Sequence, residues 1–187
     1  MAFSFDTVMR QTKTARNARR LEASADHEMT FIESLPDIGI PILLDTCAIL
    51  DGLRGKAPAK LRTLVENGLI HHSSIVLGEL SRPFGVLDPL HKETTRNLAP
   101  LRAVLDEVRP HRVIEADAEM VAVANIRAGI VARHLTLPRE SQSKLVNDAL
   151  IAAQAARYGL TLITANRRDF DLLGQLDPRL RVAFYRV

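Results

Sequence analysis

Cysteine is almost absent from this chain of 187 residues, and long apolar runs are missing as well. The lone Cys47 cannot form an internal disulfide, and no cysteine cluster is available to bind zinc. An apolar content of 47%, without any uninterrupted apolar run of about 18 residues, predicts a globular chain with no membrane span. The expected location is a reducing cytoplasm.

Two common nucleotide-binding signatures are also absent. The sequence has neither the glycine-rich fingerprint of dinucleotide-binding domains nor a phosphate-binding P-loop. These absences argue against a nucleotide-dependent dehydrogenase and against an ATPase. A nucleophilic role for Cys47 is disfavoured too, because no base or orienting acid accompanies it, and a small packed side chain is the expectation.

The formal net charge of +3 is unevenly distributed along the chain. Residues 1–37 contain five of the 25 basic residues and six of the 22 acidic residues, which leaves a formal charge of +4 on residues 38–187. If some acids of the second segment hold a metal, the outer surface is more basic than this total. Nucleic acid is therefore a reasonable partner, although an ordinary solvated surface is the commoner meaning of such a charge.

From residue 38 onward, short apolar runs alternate with helical patterns. The candidate strands are residues 41–45, 69–72, 112–115, 160–164 and 181–185. The candidate helices are residues 57–67, 74–82, 92–109, 117–134, 141–158 and 169–173. Gly68 and Gly159 follow two of these helices and are expected to take the left-handed conformation that ends a helix. The alternation predicts an α/β domain of three layers, with helices flanking a mainly parallel sheet of about five strands.

Residues 1–37 do not follow this alternation, so we predict an N-terminal extension ahead of the α/β domain at residues 38–187. Basic residues at helical spacing form one stripe, namely Arg10, Lys13, Arg16 and Arg20. The expectation is an appended helix that packs on the domain or on a partner, or a mobile segment. A transit peptide is disfavoured because the segment lacks a strong apolar face and becomes acidic at once.

Four acidic residues lie in apolar surroundings. They are Asp45 after the run 42–44, Glu79 among Val76, Leu77 and Leu80, Asp148 beside Leu145, Ile151 and Ala152, and Asp169 after the strand pattern 160–164. An unpaired buried carboxylate costs several kcal/mol, so a chain that keeps one usually binds it to a cation, caps a helix with it or uses it in catalysis.

The positions of the four acids predict that they converge. We expect Asp45 and Asp169 at the carboxyl ends of strands and Glu79 and Asp148 near the starts of helices, where all can face one crevice. A carboxylate cluster with few or no histidine or cysteine ligands suits Mg²⁺ or Mn²⁺. Such a site matches the hydrolysis of phosphodiester bonds.

Each acid also has an explanation without a metal. Asp45 is placed to cap the following helix, and Asp169 to cap a later one, with Asn166 as a competitor for that role. Asp148 would stabilise a first helical turn capped by Asn147, and Glu79 would lie on an exposed helix face. The combined order and local patterns of the four acids argue against four separate explanations.

Four segments of the sequence carry a resemblance to a known family. They are residues 43–50 (LLDTCAIL), 73–80 (SSIVLGEL), 147–153 (NDALIAA) and 162–170 (LITANRRDF). In this order they resemble the signature blocks of PIN-domain ribonucleases, most closely the VapC-type toxins of type II toxin-antitoxin pairs. The resemblance spans about residues 40–187.

The resemblance implies a Mg²⁺- or Mn²⁺-dependent endoribonuclease toxin that dimerises and is silenced by a cognate antitoxin. It makes Asp45, Glu79, Asp148 and Asp169 the acidic metal site, with Thr164 and Asn166 as neighbours. Whether Asn166 or Asp169 is the fourth member stays open. The extension departs from the family, whose toxins typically begin close to the first strand.

Two other functions remain open from the sequence. One is a PIN-like module that binds RNA or assembles with partners and has little catalytic activity. The other is a phosphatase or DNA nuclease with the same metal chemistry. Several basic residues flank the acidic segments and are candidates to hold RNA phosphates, with a solvated surface as the alternative: Arg82, Arg139, Lys144, Arg167 and Arg168.

Overall fold

The computed structural model describes residues 3–18 and 20–187, without the side chains of residues 139–141. Its strands are β1 Pro41–Leu44, β2 Leu69–Ser73, β3 Val113–Ile114, β4 Thr161–Thr164 and β5 Arg181–Phe184. Its helices are α1 Phe5–Gln11, α2 Lys13–Arg16, α3 Thr46–Leu53, α4 Ala59–Asn67, α5 Ser74–Ser81, α6 Pro83–Val86, α7 Thr94–Asp106, α8 Ala118–Leu135, α9 Arg139–Tyr158 and α10 Arg167–Leu176. Over the described part of the chain, no helix combines the length and apolar character needed to cross a membrane.

The five strands form one sheet in the order β3-β2-β1-β4-β5, and every neighbouring pair is parallel. The predicted α/β fold with a mainly parallel sheet of five strands is confirmed. From β1 the chain proceeds to β2 and β3 on one side, and β4 and β5 lie on the other. The strand order therefore reverses between β1 and β4, and open parallel sheets bind their ligands beyond the carboxyl ends of strands at such a reversal.

Side chains of the central strands alternate between two cores. Leu43 of β1 and Leu162 of β4 pack into the core formed with α8, α9 and α10. Ile42 of β1 and Ile163 of β4 pack into the second core, on the side of α3 and α4. Because both faces of the sheet are covered, the strands are apolar without alternation, which is typical of parallel sheets.

The N-terminal extension packs against the rest of the chain. Helices α1 and α2 contact α8, and Val8 and Thr12 have no exposed surface. Further along, Ile32 is fully buried in the second core, and Phe31 forms a parallel bridge with Phe184 of β5. The extension therefore contributes apolar side chains to the interior at two separate places.

The burial of Val8 predicts a measurable loss of stability on truncation of its side chain. Val8→Ala removes two methyl groups from a fully buried position, which costs about 1–3 kcal/mol of unfolding free energy. Val121→Ala is the matched control, because Val121 lies on helix α8 with 40% of its surface exposed. Urea unfolding of both variants checks the prediction, and equal losses would contradict the packing of the extension.

The two helix-ending glycines behave differently. Gly159 has φ of +64°, so the predicted left-handed conformation is confirmed there. The same prediction for Gly68 is wrong, because its φ is −86°. At Gly68 a β-carbon would lie 2.3 Å from the carbonyl oxygen of Leu64, so the absence of a side chain serves a close approach between backbones.

Candidate active site

Asp45 follows β1 directly and is 5% exposed. Its Oδ1 accepts a hydrogen bond from the backbone N–H of Thr46 at 2.7 Å, as the N-terminal cap of α3. Its Oδ2 accepts hydrogen bonds from the Thr164 hydroxyl at 2.8 Å and from the Cys47 thiol at 2.9 Å. The cap explanation therefore holds for one oxygen, while the other points toward the end of β4.

Asp148 lies in the middle of α9 and is 4% exposed. The prediction that it lies near the start of a helix is wrong, because α9 begins at Arg139, directly after Pro138. The explanation with Asn147 as a helix cap is wrong for the same reason. The apolar surroundings are as expected, since Leu145 and Ile151 are buried on either side of Asp148.

Asn166 connects three elements of the site. Its side-chain N–H groups donate to Asp148 Oδ2 at 3.1 Å and to Asp169 Oδ2 at 3.0 Å. Its backbone N–H donates to the hydroxyl of Thr164 at 2.9 Å, and that hydroxyl donates to Asp45. Asn166 is also the N-terminal cap of α10, so it takes the role for which Asp169 was considered. Asp169 lies in the first turn of this helix, which is longer than predicted.

Glu79 joins the same network from α5. It lies near the end of this helix, so the predicted position near the start is wrong, and it is partly buried and not on an exposed face. Its carboxylate accepts hydrogen bonds from the Thr46 hydroxyl and, at 2.7 Å, from the Asn147 side chain. Because Thr46 and Asn147 adjoin Asp45 and Asp148, Glu79 is linked to both buried acids. Sequence reasoning missed these two donors, although their positions next to the acids were a signal.

The carboxylates crowd each other electrostatically. Burial raises the pKa of Asp148 to about 8, and the charges of Asp45 and Asp169 add to this rise. Burial also raises the pKa of Asp45, against the opposing effect of its hydrogen bonds from Cys47 and Thr164. No ion pair to Asp45 or Asp148 is formed by the described side chains. The two buried acids therefore have no cationic side chain paired with them in the described part of the chain, and the ionised form of each is disfavoured.

The donor chemistry of this cluster fits a hard divalent cation. Asp45, Glu79, Asp148 and Asp169 offer oxygen atoms, and two of these carboxylates are buried without an ion pair. Within the described residues, no three His, Cys, Asp or Glu side chains already converge as a ligand set. The carboxylates are instead held by the Asn and Thr donors, so a cation would have to replace some of these hydrogen bonds.

A cleft of about 790 Å³ opens beside Glu79 and Asn147. Two of the predicted phosphate-holding residues, Arg82 and Lys144, line it with exposed side chains. The side chain of Arg139 lies outside the described residues. The cleft is thus lined by one acid of the network, Glu79, and by two cationic side chains.

The Cys47 thiol faces the carboxylate of Asp45. Burial and the adjacent negative charge raise the pKa of Cys47 to about 11. At neutral pH the residue is therefore a thiol, and it donates a hydrogen bond to Asp45 at 2.9 Å. A nucleophile needs the thiolate, so the structure agrees with the expectation of a packed side chain.

Fold and site together define a parallel α/β domain with a buried carboxylate cluster where the strand order reverses. The sequence profile of the PIN domain matches residues 42–175, so this chain belongs to the PIN domain family. The membership confirms the resemblance to that family and supports a nuclease, a hydrolase of phosphodiester bonds. PIN domain nucleases generally use divalent metal ions.

Solved structures share the fold at low sequence identity. VapBC2 from Rickettsia felis, bound to a DNA fragment from its promoter, is 23% identical with a TM-score of 0.52, covering 79% of this chain and 100% of that one. FitAcB from Neisseria gonorrhoeae is 21% identical with a TM-score of 0.54, covering 78% and 96%. DNA-bound VapBC from Salmonella typhimurium is 22% identical with a TM-score of 0.50, covering 78% and 98%. Among curated proteins, no sequence matches at a significant level.

Proposed function

We propose that this protein is a Mg²⁺- or Mn²⁺-dependent endoribonuclease and the toxin of a VapC-type toxin-antitoxin pair. The observation that carries the proposal is the network in which Asn166 joins Asp148 and Asp169 while Thr164 joins Asp45. A structural cap needs one carboxylate, whereas this network gathers two buried acids and the half-buried Asp169 where the strand order of a PIN fold reverses. The family membership and the four signature segments support the same function.

In this proposal Asp45 and Asp148 hold the cation, and Glu79 and Asp169 complete its surroundings. A divalent cation at such a site lowers the pKa of water and offsets charge on the phosphodiester. Asn166 keeps the Asp148 and Asp169 carboxylates directed toward one another. Thr164 and Cys47 donate hydrogen bonds to Asp45 and fix the orientation of its carboxylate in the same way.

The substrate is proposed to enter along the cleft beside Glu79. Arg82 and Lys144 at its edge would contact backbone phosphates of RNA, which fix the position of a strand without reading its sequence. Residues 38–187 would form the nuclease domain and residues 1–37 its extension. The proposed partners are a second copy of the chain and a cognate antitoxin, in line with the VapBC complexes that share the fold, and the proposed location is the cytoplasm.

The proposal predicts that the purified protein cleaves single-stranded RNA with Mg²⁺ or Mn²⁺ and not with a chelator. The reason is that no described side chain forms an ion pair with the buried carboxylates, so a bound cation would stabilise their ionised form. Gel analysis of labelled RNA with each ion, with EDTA and after ion add-back measures this. Full activity in EDTA would remove the metal from the mechanism. Binding of RNA without cleavage under any ion would favour the RNA-binding module instead.

A further inference from the structure

Two arginines from separate elements share one carboxylate of the N-terminal extension. Arg167 at the start of α10 donates through Nη2 to Asp26 Oδ1. Arg186, just after β5, donates through Nη2 to Asp26 Oδ2 at 2.8 Å. We refer to Arg167 and Arg186 as the arginine fork. Since two guanidinium groups face a single carboxylate, the fork keeps an excess of positive charge.

The fork has unused hydrogen-bonding capacity. Arg167 Nε is buried and has no hydrogen-bond partner among the described residues. An anion with more acceptor oxygens than a carboxylate would therefore satisfy the fork better than Asp26 does.

The fork is also held in place by an aromatic ring. The guanidinium carbons of Arg186 and Arg167 lie 4.1 Å and 5.7 Å from the ring centroid of Phe31. The Phe31 ring packs edge-on against Phe184, with 6.4 Å between the ring centroids. Cation–π contacts of this kind orient both guanidinium groups without consuming their N–H donors.

The fork adjoins the acidic site along the chain. Arg167 directly follows Asn166, whose side chain binds Asp148 and Asp169. Helix α10 therefore begins with a residue of the acidic network and continues with a residue of the fork. A strand of nucleic acid with one phosphodiester at the acids would have further phosphates available for a nearby cationic group.

We propose that the arginine fork binds a phosphate of single-stranded RNA, and that Asp26 occupies the fork as a carboxylate stand-in which the RNA displaces. The inference rests on the proposed function, because it takes RNA as the ligand. Carboxylate and phosphate both accept paired N–H donors from guanidinium groups, so one can replace the other. The extension thus limits access to a phosphate site of its own domain.

Displacement of Asp26 is feasible because its ion pairs are exposed. The side chains of Asp26 and Arg186 are 54% and 62% exposed, and water weakens such pairs. The surrounding extension has other anchors: the backbone N–H of Ser24 donates to Asp171 at 2.8 Å, and Gln175 donates to the Glu22 carbonyl at 2.7 Å. The extension can therefore remain docked while the Asp26 side chain turns away.

The test measures binding of a short fluorescein-labelled single-stranded RNA in EDTA by fluorescence anisotropy. Asp26→Asn removes the competing charge and keeps the shape, so we expect a Kd about three- to tenfold lower than that of the wild type. Arg186→Gln removes half of the fork and should raise Kd, with a salt slope lower by about one. A DNA strand of the same sequence should show the same two changes, because the fork contacts phosphate and not the ribose hydroxyl.

Asp37→Asn is the matched control. It removes another ion pair between the extension and the domain, the one from Asp37 to Lys60 at 2.5 Å, and should leave Kd unchanged. Melting curves establish whether each variant is folded. If Asp26→Asn does not fold, the RNA affinity of Arg186→Gln tests the proposal. The proposal is overturned if Asp26→Asn or Arg186→Gln binds like the wild type, if Asp37→Asn tightens binding equally, or if the wild type binds no RNA.

The same measurements separate this inference from the proposed function. Tighter binding by Asp26→Asn, in a protein that never cleaves RNA with metal, would support the fork and refute the nuclease. Metal-dependent cleavage by a wild type whose RNA affinity does not respond to Asp26→Asn would support the nuclease and refute the fork.

Discussion

Asp148→Asn is expected to abolish metal-dependent RNA cleavage while leaving the protein folded. The change keeps the shape of the side chain and removes the charge that a hard cation requires, so we expect a loss of about a thousandfold or more. The amide can still accept the hydrogen bond that Asn166 donates to Asp148 Oδ2. Because the amide is neutral and needs no proton to be buried, the variant should be at least as stable as the wild type at neutral pH.

Initial rates of RNA cleavage with saturating Mn²⁺, together with melting temperatures, measure this prediction. Asp106→Asn is the control, because Asp106 is an exposed acid on α7 that should affect neither activity nor stability. Asp45→Asn should lose activity to a similar extent, but it also weakens hydrogen bonds from Thr46, Thr164 and Cys47, so its stability is less informative. If Asp148→Asn keeps more than about a tenth of the activity, Asp148 does not hold the metal.

The fold was largely predictable because its strands are buried on both faces. Runs such as 41–45 and 160–164 are apolar without alternation, and strands of this kind occur in parallel sheets covered by helices. The sequence did not reveal α6, and it gave no bounds for α3, which was expected only as the helix that Asp45 would cap. Both are short, and each contains a glycine, Gly52 or Gly85, that weakens the helical pattern. Their existence depends on the tertiary structure.

The candidate site was predictable in its acids and not in their connections. A carboxylate on an apolar face, as at Asp148, is visible in the sequence because burial of an unpaired charge is costly. The depth of Asp148 within α9 was misjudged because residues 141–144 are polar and the apolar pattern of the helix begins only at Leu145. The roles of Thr46 and Asn147 depend on how α5 packs beside α3 and α9, which no local pattern specifies.

The shared carboxylate at Asp26 illustrates the same limit at long range. Asp26 is separated from Arg167 and from Arg186 by more than a hundred residues along the chain, and each of the three is an ordinary surface residue by its local sequence. The sequence did show that the extension becomes acidic after its basic stripe, and it did indicate Arg167 as a candidate to hold phosphate. The pairing itself follows from the bridge between Phe31 and Phe184, which places the extension beside β5.

The crowded carboxylates also predict how stability depends on pH. Asp148 has a pKa of about 8 in the folded protein and 3.8 in the unfolded chain. Between these values the folded protein holds a proton that the unfolded chain releases, so stability falls as pH rises, and it levels off above about pH 8. The slope attributable to this one proton is about 1.4 kcal/mol per pH unit at most. The metal-free wild type should therefore gain stability from pH 8 to pH 5.

Melting curves from pH 5 to 8 on the wild type and Asp148→Asn isolate this effect. The other titrating groups are common to both proteins, so the difference between the two curves reports Asp148. This difference should be largest at pH 8, where the variant is the more stable.

Mn²⁺ should raise the melting temperature of the wild type at pH 8 more than at pH 5, because protons compete for the ligands. It should raise that of Asp148→Asn much less. Equal stabilisation of both proteins by Mn²⁺, or parallel pH curves, would show that the acids do not act as one metal site, and the RNA-binding module would then be the better description.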